Sequence, residues 1–367
     1  MTADTPCVYG ADLSLLSTIP ARGGLRDRDG RPIKDPARFL KQAGFDWTRL
    51  RLFHTPSGHG AQCNDLPYTL ALARTLKQAG FKFLLDFHYS DTWADPGKQY
   101  TPKAWALLDF AGLVDAVHEY TRETVNRFVA EGAAPEMVQV GNEITPGMLW
   151  EHGRINRGHS TNTQRWDDEA STVDREAWKR FGTLLDAGVA GVKDAAATGV
   201  RIMLHLDRGG DISTNQWFFD HVLEQGVAFD VIGESYYPFW HGMPDELAKT
   251  MDYLGNRYGK RVYLAEMAYP YKPHPMYENA LSGDPAAWHR LVGKYPLTPE
   301  GQQRFVADVL AIVRASKHGG GVFYWAPEWI PPQDPAYEDE ADAPACWARA
   351  LFDDKGRALP ALEAFSK

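Results

Sequence analysis

The chain predicts a (β/α)8 barrel, on three observations. Eight short apolar runs rich in β-formers recur along the 367 residues, and helical sequence separates each from the next. Two of the early helical runs close on nearly the same words before a strand, Leu40-Lys41-Gln42-Ala43-Gly44 and Leu76-Lys77-Gln78-Ala79-Gly80, as successive α/β units do. No Gly-rich phosphate loop opens a helix after the first strand, which disfavours an open dinucleotide-binding sheet.

Val8-Tyr9-Gly10-Ala11-Asp12-Leu13 reads as strand one. Asp35 and Pro36 open a helix that Gly44 stops, and residues 46–52 form strand two. A helical run over 66–80 leads into strand three at 81–88. Residues 105–131 precede strand four, Met137-Val138-Gln139-Val140, which ends abruptly in Gly141-Asn142-Glu143. Helical 176–198 precedes strand five at 200–205, 217–225 precedes strand six at 229–233, and 244–258 precedes strand seven at 261–266. An amphipathic helix over 299–317 precedes strand eight at 321–325, and a short helix over 359–365 ends the pattern. Three long connections, 145–174, 267–297 and 326–350, all follow strands, so they belong to the C-terminal face where barrels keep their active sites. With no linker in sight, residues 1–367 read as one catalytic domain.

Composition excludes several classes. A net charge of −9 argues against nucleic acid or an anionic membrane as the main partner. No stretch of 18 or more apolar residues predicts a bilayer span. The start, Met1-Thr2-Ala3-Asp4-Thr5-Pro6, lacks the basic and apolar segments of a signal peptide. Cys7, Cys63 and Cys346 have no metal-ligand spacing; one disulfide is compatible with them and none is required. Twelve Trp, 16 Tyr and 17 Phe serve a large core, or a surface that stacks against sugar rings.

In a barrel the strand C-termini converge on one opening. The polar and aromatic residues delivered there are Asp12, Arg51, Asp86 with His88, Asn142 with Glu143, His205, Tyr236 with Tyr237, Glu266, and Trp325. A Glu closing a buried strand needs a task or a partner, and a salt-bridged structural carboxylate is the plain alternative. The design occurs twice, at Glu143 and at Val262-Tyr263-Leu264-Ala265-Glu266, on strands that lie roughly across the mouth from each other. Two facing carboxyls are the machinery of glycoside hydrolysis, one protonated to help the leaving oxygen depart and one ionised to attack the sugar carbon. No motif suggests a metal or a Ser-His-Asp arrangement, no strand ends in the Lys of an aldolase, and no cofactor is expected.

The stretch Leu84-Leu85-Asp86-Phe87-His88-Tyr89-Ser90-Asp91-Thr92-Trp93-Ala94-Asp95-Pro96 resembles the hallmark of the family 53 glycoside hydrolases, the endo-β-1,4-galactanases. Val140-Gly141-Asn142-Glu143-Ile144, Asp230-Val231-Ile232-Gly233 with Ser235-Tyr236-Tyr237-Pro238-Phe239-Trp240-His241-Gly242, and Ala265-Glu266 with Tyr269-Pro270 match in the same order. The similarity spans about residues 47–325. It implies a retaining (β/α)8 glycosidase acting on β-1,4-galactan, with Glu143 as acid/base and Glu266 as nucleophile. It also implies that Asn142 contacts the sugar 2-hydroxyl, and that Arg51 and a strand-six tyrosine, Tyr237 in preference to Tyr236, keep Glu266 ionised. A monomer with a polysaccharide as its partner is expected, secreted or periplasmic by family habit.

Other residues keep two readings. His88 and His205 either contact substrate or hydrogen-bond within the barrel. Trp93, Trp240, Trp325 and Trp329 stack on sugar or pack the core, with Trp325 the best placed for sugar. Asp86 and Asp91 touch substrate or only fix loop geometry. The run Glu338-Asp339-Glu340 with Asp342 reads as a solvated loop face. Three departures from the family pattern stand out. Residues 15–20 fit its opening poorly, Glu234 replaces an expected apolar residue, and residues 271–279 lack the acidic spacing of a calcium loop. Alternatives for the whole chain are a clan relative acting on another β-glycan, an exo-acting β-galactosidase, and a non-catalytic glycan-binding barrel.

Overall fold

The computed structural model describes residues 7–155, 175–278, 284–334, 341 and 343–366. Eight parallel strands close into a barrel in sequence order: β1 (Val8–Asp12), β2 (Trp47–Leu52), β3 (Lys82–Phe87), β4 (Met137–Val140), β5 (Arg201–Leu206), β6 (Val231–Tyr236), β7 (Arg261–Met267) and β8 (Gly319–Tyr324). Closure comes from β1, which pairs Gly10 with Trp47 of β2 on one side and Ala11 with Tyr324 of β8 on the other. The predicted barrel is present, strand for strand.

Around it pack α1 (Pro36–Gln42), α2 (Leu66–Gln78), α3 (Phe110–Ala130), α4 (Arg175–Asp194), α5 (Ile212–Glu224), α6 (Pro244–Tyr258), α7 (Pro285–Lys294) and α8 (Pro299–Ala315). Asp35, Asp65, Asp109, Asp211, Asp284 and Thr298 each cap a helix by accepting a hydrogen bond from a first-turn amide. The Asp211 cap starts α5 five residues before the expected run at 217, because the sequence pattern gave weight to Trp217 and not to the cap. The long connection after β7 contains α7, and that after β4 folds a two-stranded antiparallel pair, Gly147–Met148 with Gly153–Arg154. The acidic run 338–340 and Asp342 lie outside the described residues.

Side-chain alternation divides the barrel interior into layers. Val8, Trp47, Leu84, Met137, Met203, Val231, Tyr263, Ala265 and Phe323 form an apolar plug at the bottom. Two residues further along several of these strands the same inward face carries Arg49, Asp86, Gln139, His205 and Trp325. Thus the strand ends turn polar together, one layer above the plug. The closing turn Pro360–Phe365 packs the Phe365 ring against Phe45 (4.4 Å between centroids) and against Tyr9 and Tyr324. Gly44 ends α1 at φ 114°, and a Cβ there would lie 2.0 Å from the Phe365 carbonyl oxygen. Gly44→Ala is therefore expected to destabilise the fold by about 1–3 kcal/mol, read as a lowered urea midpoint at unchanged slope.

Among the described residues no helix is long and apolar enough to cross a membrane. Cys7 and Cys63 are free thiols.

Candidate active site

A cavity of about 500 Å³ opens at the C-terminal ends of the strands, and both Glu143 and Glu266 line it. Its floor is organised by one guanidinium. Arg49 meets Asp12 at 2.9 Å, Asp86 at 2.8 Å and Glu266 at 3.0 Å, and donates to Gln139 Oε1 (3.1 Å) and Asn142 Oδ1 (2.7 Å). A buried cation with three carboxylate partners and satisfied donors is a stable arrangement; any partner left alone is not.

Glu266 reaches the cavity through a break in alternation. The β6–β7 register shifts between Glu234 and Ser235, so that Leu264 faces Glu234 while Glu266 faces Ser235. The extra residue lets Ala265 stay in the plug while Glu266 also turns inward. On the other side of its carboxylate, Tyr237 Oη donates to Oε2 at 2.7 Å. Burial raises the Glu266 pKa, while the Arg49 charge and the Tyr237 hydrogen bond hold it down.

Glu143 follows Gly141 and Asn142 at the end of β4 and sits at φ 47°, a left-handed backbone in a non-glycine residue. The Gln99 amide fixes this turn by donating to the carbonyls of Asn142 (2.8 Å) and Glu143 (3.2 Å). Ser235 Oγ lies 2.5 Å from Glu143 Oε1 and 2.9 Å from His205 Nε2, and His205 Nδ1 lies 2.9 Å from Asn142 Oδ1. Burial, then the neighbouring Glu266, then Asp207 push the Glu143 pKa well above the usual carboxylate range. Burial and then Arg49 push the His205 pKa well below the usual imidazole range. Of the facing pair, Glu143 is the stronger proton holder and Glu266 the better-stabilised anion.

Glu143, Glu266 and His205 present ligand-type atoms all within 4.8 Å of one another. Both ring nitrogens of His205 are already engaged by protein groups, so the trio reads as an acid pair with its hydrogen-bonded support. With an oxygen of each carboxyl within 4.8 Å, the pair fits the ~5–5.5 Å spacing of retaining glycosidases better than the wider ~6.5–9.5 Å of inverting ones.

The other expected residues divide clearly. His88, Trp93, Asn142, Tyr237, Trp240, Trp325 and Trp329 line the cavity. Trp93 and Trp329 stack at 6.0 Å and 14°, with Trp325 set against both, forming an aromatic wall. His88 also bonds inside the barrel, Nε2 to Asp86 (3.1 Å) and Nδ1 accepting from the Ala94 amide. His205 and Asp86 lie beneath the cavity, where they brace Asn142 and Arg49. Asp91 accepts from the amides of Thr55 and Lys103, fixing loop geometry.

Two expectations are corrected. Arg51 does not reach Glu266; Arg49 does. Both face the interior, but Arg51 stands two residues nearer the rim, its guanidinium over the Trp93 ring (4.3 Å) and 3.5 Å from Asp12. Tyr236 points out of the barrel, its hydroxyl donating to the Gly242 carbonyl and its ring stacked beside Phe305 of α8. Glu234 also faces outward, accepting from the Arg208 amide, and burial keeps its pKa well above the usual range. Two further carboxylates, Asp95 and Asp207, join the acid pair in the cavity wall, and Asp207 is held by Thr145 (2.6 Å) and Arg208. Sequence reasoning missed Arg49, Gln99, Gln139, Asp207, Ser235 and Arg349. Gln139 and Ser235 could have been found by counting inward positions from Met137 and Tyr237.

The model for glycosyl hydrolase family 53 matches residues 8–365. A protein of Niallia circulans named for the bgaB 5′ region is 39% identical over 364 residues, covering 97% of this chain and 93% of that one. The arabinogalactan endo-beta-1,4-galactanase of Humicola insolens is 31% identical over 358 residues, covering 95% and 96%. The solved Ignisphaera aggregans GH53 catalytic domain superposes with a TM-score of 0.81 at 33% identity, covering 98% and 95%. Since the family match begins with β1 and runs into the closing turn, it takes in the whole barrel and both strand-end glutamates: the chain belongs to glycosyl hydrolase family 53.

Proposed function

We propose that the protein is a retaining, endo-acting glycoside hydrolase that cleaves β-1,4-galactan, with residues 1–367 acting as one catalytic domain. The observation that carries the mechanism is the pair of buried carboxyls, Glu143 and Glu266, with oxygens within 4.8 Å across one cavity. The substrate rests on relatives named as endo-beta-1,4-galactanases, from Bacillus subtilis at 31% identity and from Humicola insolens.

In the first step Glu266 attacks the anomeric carbon while Glu143 gives its proton to the departing glycosidic oxygen. Forming the ester consumes the Glu266 charge, which is the second-largest cause raising the Glu143 pKa. Glu143 is then a carboxylate able to take a proton from the water that hydrolyses the ester. Ser235 and His205 hold the Glu143 carboxyl through both steps, and Asn142, its amide nitrogen donating to the Ala94 carbonyl, lines the cavity beside it. The Trp93, Trp325 and Trp329 wall offers apolar faces to sugar rings.

Reducing ends should rise on galactan and not on mannan, xylan or cellulose, with oligosaccharides among the first products. Release of monosaccharide alone contradicts the endo reading, and no release on any β-glycan favours a binding barrel.

Tyr237→Phe removes a donor that favours the charged form of Glu266. The Glu266 pKa then rises, so the acid limb of kcat/KM should move to higher pH while the basic limb, set by Glu143, stays in place. A pH–rate profile with an unmoved acid limb would discard this role for Tyr237.

A further inference from the structure

Arg349 is one of the cations in the cavity wall that the catalytic scheme leaves unused, with Arg51 and Lys98. It follows the short helix Ala343–Trp347, is 5% exposed, and lines the same cavity as Glu143 and Glu266. Its guanidinium carbon lies 4.7 Å from the Trp325 ring centre, 4.9 Å from Tyr237 and 5.8 Å from Trp240. The other buried arginines of the cavity region have carboxylates: Arg49 has three, Arg51 faces Asp12 and Arg208 meets Asp207. Among the described residues Arg349 has none. Its Nη2 donates to Cys346 Sγ at 3.3 Å, and its Nε has no acceptor.

Aromatic faces stabilise a guanidinium but do not accept its N–H groups in the plane of the fork. A buried fork with an unpaired donor, held at a cavity wall without a carboxylate, is poised for acceptors that arrive with a ligand. Sugar hydroxyls are such acceptors, and the flanking Trp240 and Trp325 rings supply the stacking faces that sugars use. Tyr237, which touches both Arg349 and Glu266, places this subsite on the nucleophile side of the cleavage point.

We propose that Arg349 is a substrate-binding, specificity-determining residue, donating to hydroxyls of the sugar that flanks the reacting one on the Glu266 side, between Trp240 and Trp325. The proposal deepens the glycosidase reading and rests on it. It requires Arg349 to act on the length of chain bound, and not on the reacting bond.

The test compares wild type, Arg349→Met and Arg349→Lys on a galacto-oligosaccharide of four or more units and on an aryl β-galactoside, which lacks the flanking sugar. For the oligosaccharide, KM of the Met variant should rise by about tenfold or more with kcat within about threefold, the size expected for a lost charged donor. The aryl substrate should lose no more than about threefold in kcat/KM, and the pH profile should not move. Arg349→Lys keeps the charge without the fork and should fall between the two, which keeps the test decisive if the Met variant fails to fold. An unchanged oligosaccharide KM overturns the proposal. So do equal losses on both substrates, or a shifted acid limb, since these mark Arg349 as a support for Tyr237 and Glu266. If wild type cleaves another β-linked oligosaccharide and not galactan, the substrate reading fails, and Arg349 is judged by the same ratio on that substrate.

Discussion

Glu266→Gln is expected to lower kcat by roughly 10⁴-fold or more, in line with removal of a nucleophile elsewhere. The amide keeps the shape of the side chain and removes only the attacking charge. Two neighbours make that charge available in a buried site: Arg49 at 3.0 Å and the Tyr237 hydroxyl at 2.7 Å. Both act on the side chain itself, so oligosaccharide affinity, measured by calorimetry, should stay within a few fold of wild type. Undiminished turnover would end the displacement mechanism, whatever the family resemblance. Loss of binding and turnover together would mean that Gln disturbs the floor of the cavity, which the circular dichroism and melting midpoint of the variant would register.

The second large effect is on stability. Arg49→Met should destabilise the protein by about 3–5 kcal/mol, because it leaves Asp12, Asp86 and Glu266 buried without their shared cation. Activity should fall as well. Arg49 is what most lowers the Glu266 pKa, so its loss shifts the nucleophile toward the neutral form and moves the acid limb of kcat/KM upward. Arg51→Met is the discriminating control. Its guanidinium covers Trp93 and stands 3.5 Å from Asp12, away from Glu266, so the acid limb should not move. Urea titration of both variants, with pH profiles, separates the two arginines. A larger shift of the acid limb in the Arg51 variant would reverse the assignment made from the geometry.

That assignment shows where the sequence stops being legible. The barrel could be read because the strands are largely apolar, each helix is punctuated, and the order never departs from alternation. Glu143, Asn142 and Glu266 could be read because each follows a run of mostly apolar residues at the end of its strand. Arg49 and Arg51 share one face of one strand, so periodicity alone gives no ground for choosing; the depth of the Glu266 carboxylate decides, and that depth is set by the β6–β7 irregularity. The same irregularity is invisible in the letters Leu264-Ala265-Glu266. Tyr236 and Tyr237 alternate, but their phase becomes evident only from Gly233 facing Met203 and Ala265 inside the barrel. Gln99, Asp207 and Arg349 come from loops and strand ends whose approach to the acid pair depends on how long connections fold back. Trp93, Trp325 and Trp329 were ambiguous between core and sugar, and they do both, packing on one another while lining the cavity.

The central claim is that Glu266 becomes covalently bonded to the sugar. A 2-deoxy-2-fluoro galactosyl reagent with a good leaving group slows the second displacement and traps that ester for peptide mapping by mass spectrometry. The label is expected on the peptide carrying Glu266, with Glu143 unmodified and activity returning as the ester hydrolyses. Inactivation with the label on any other residue would contradict the account.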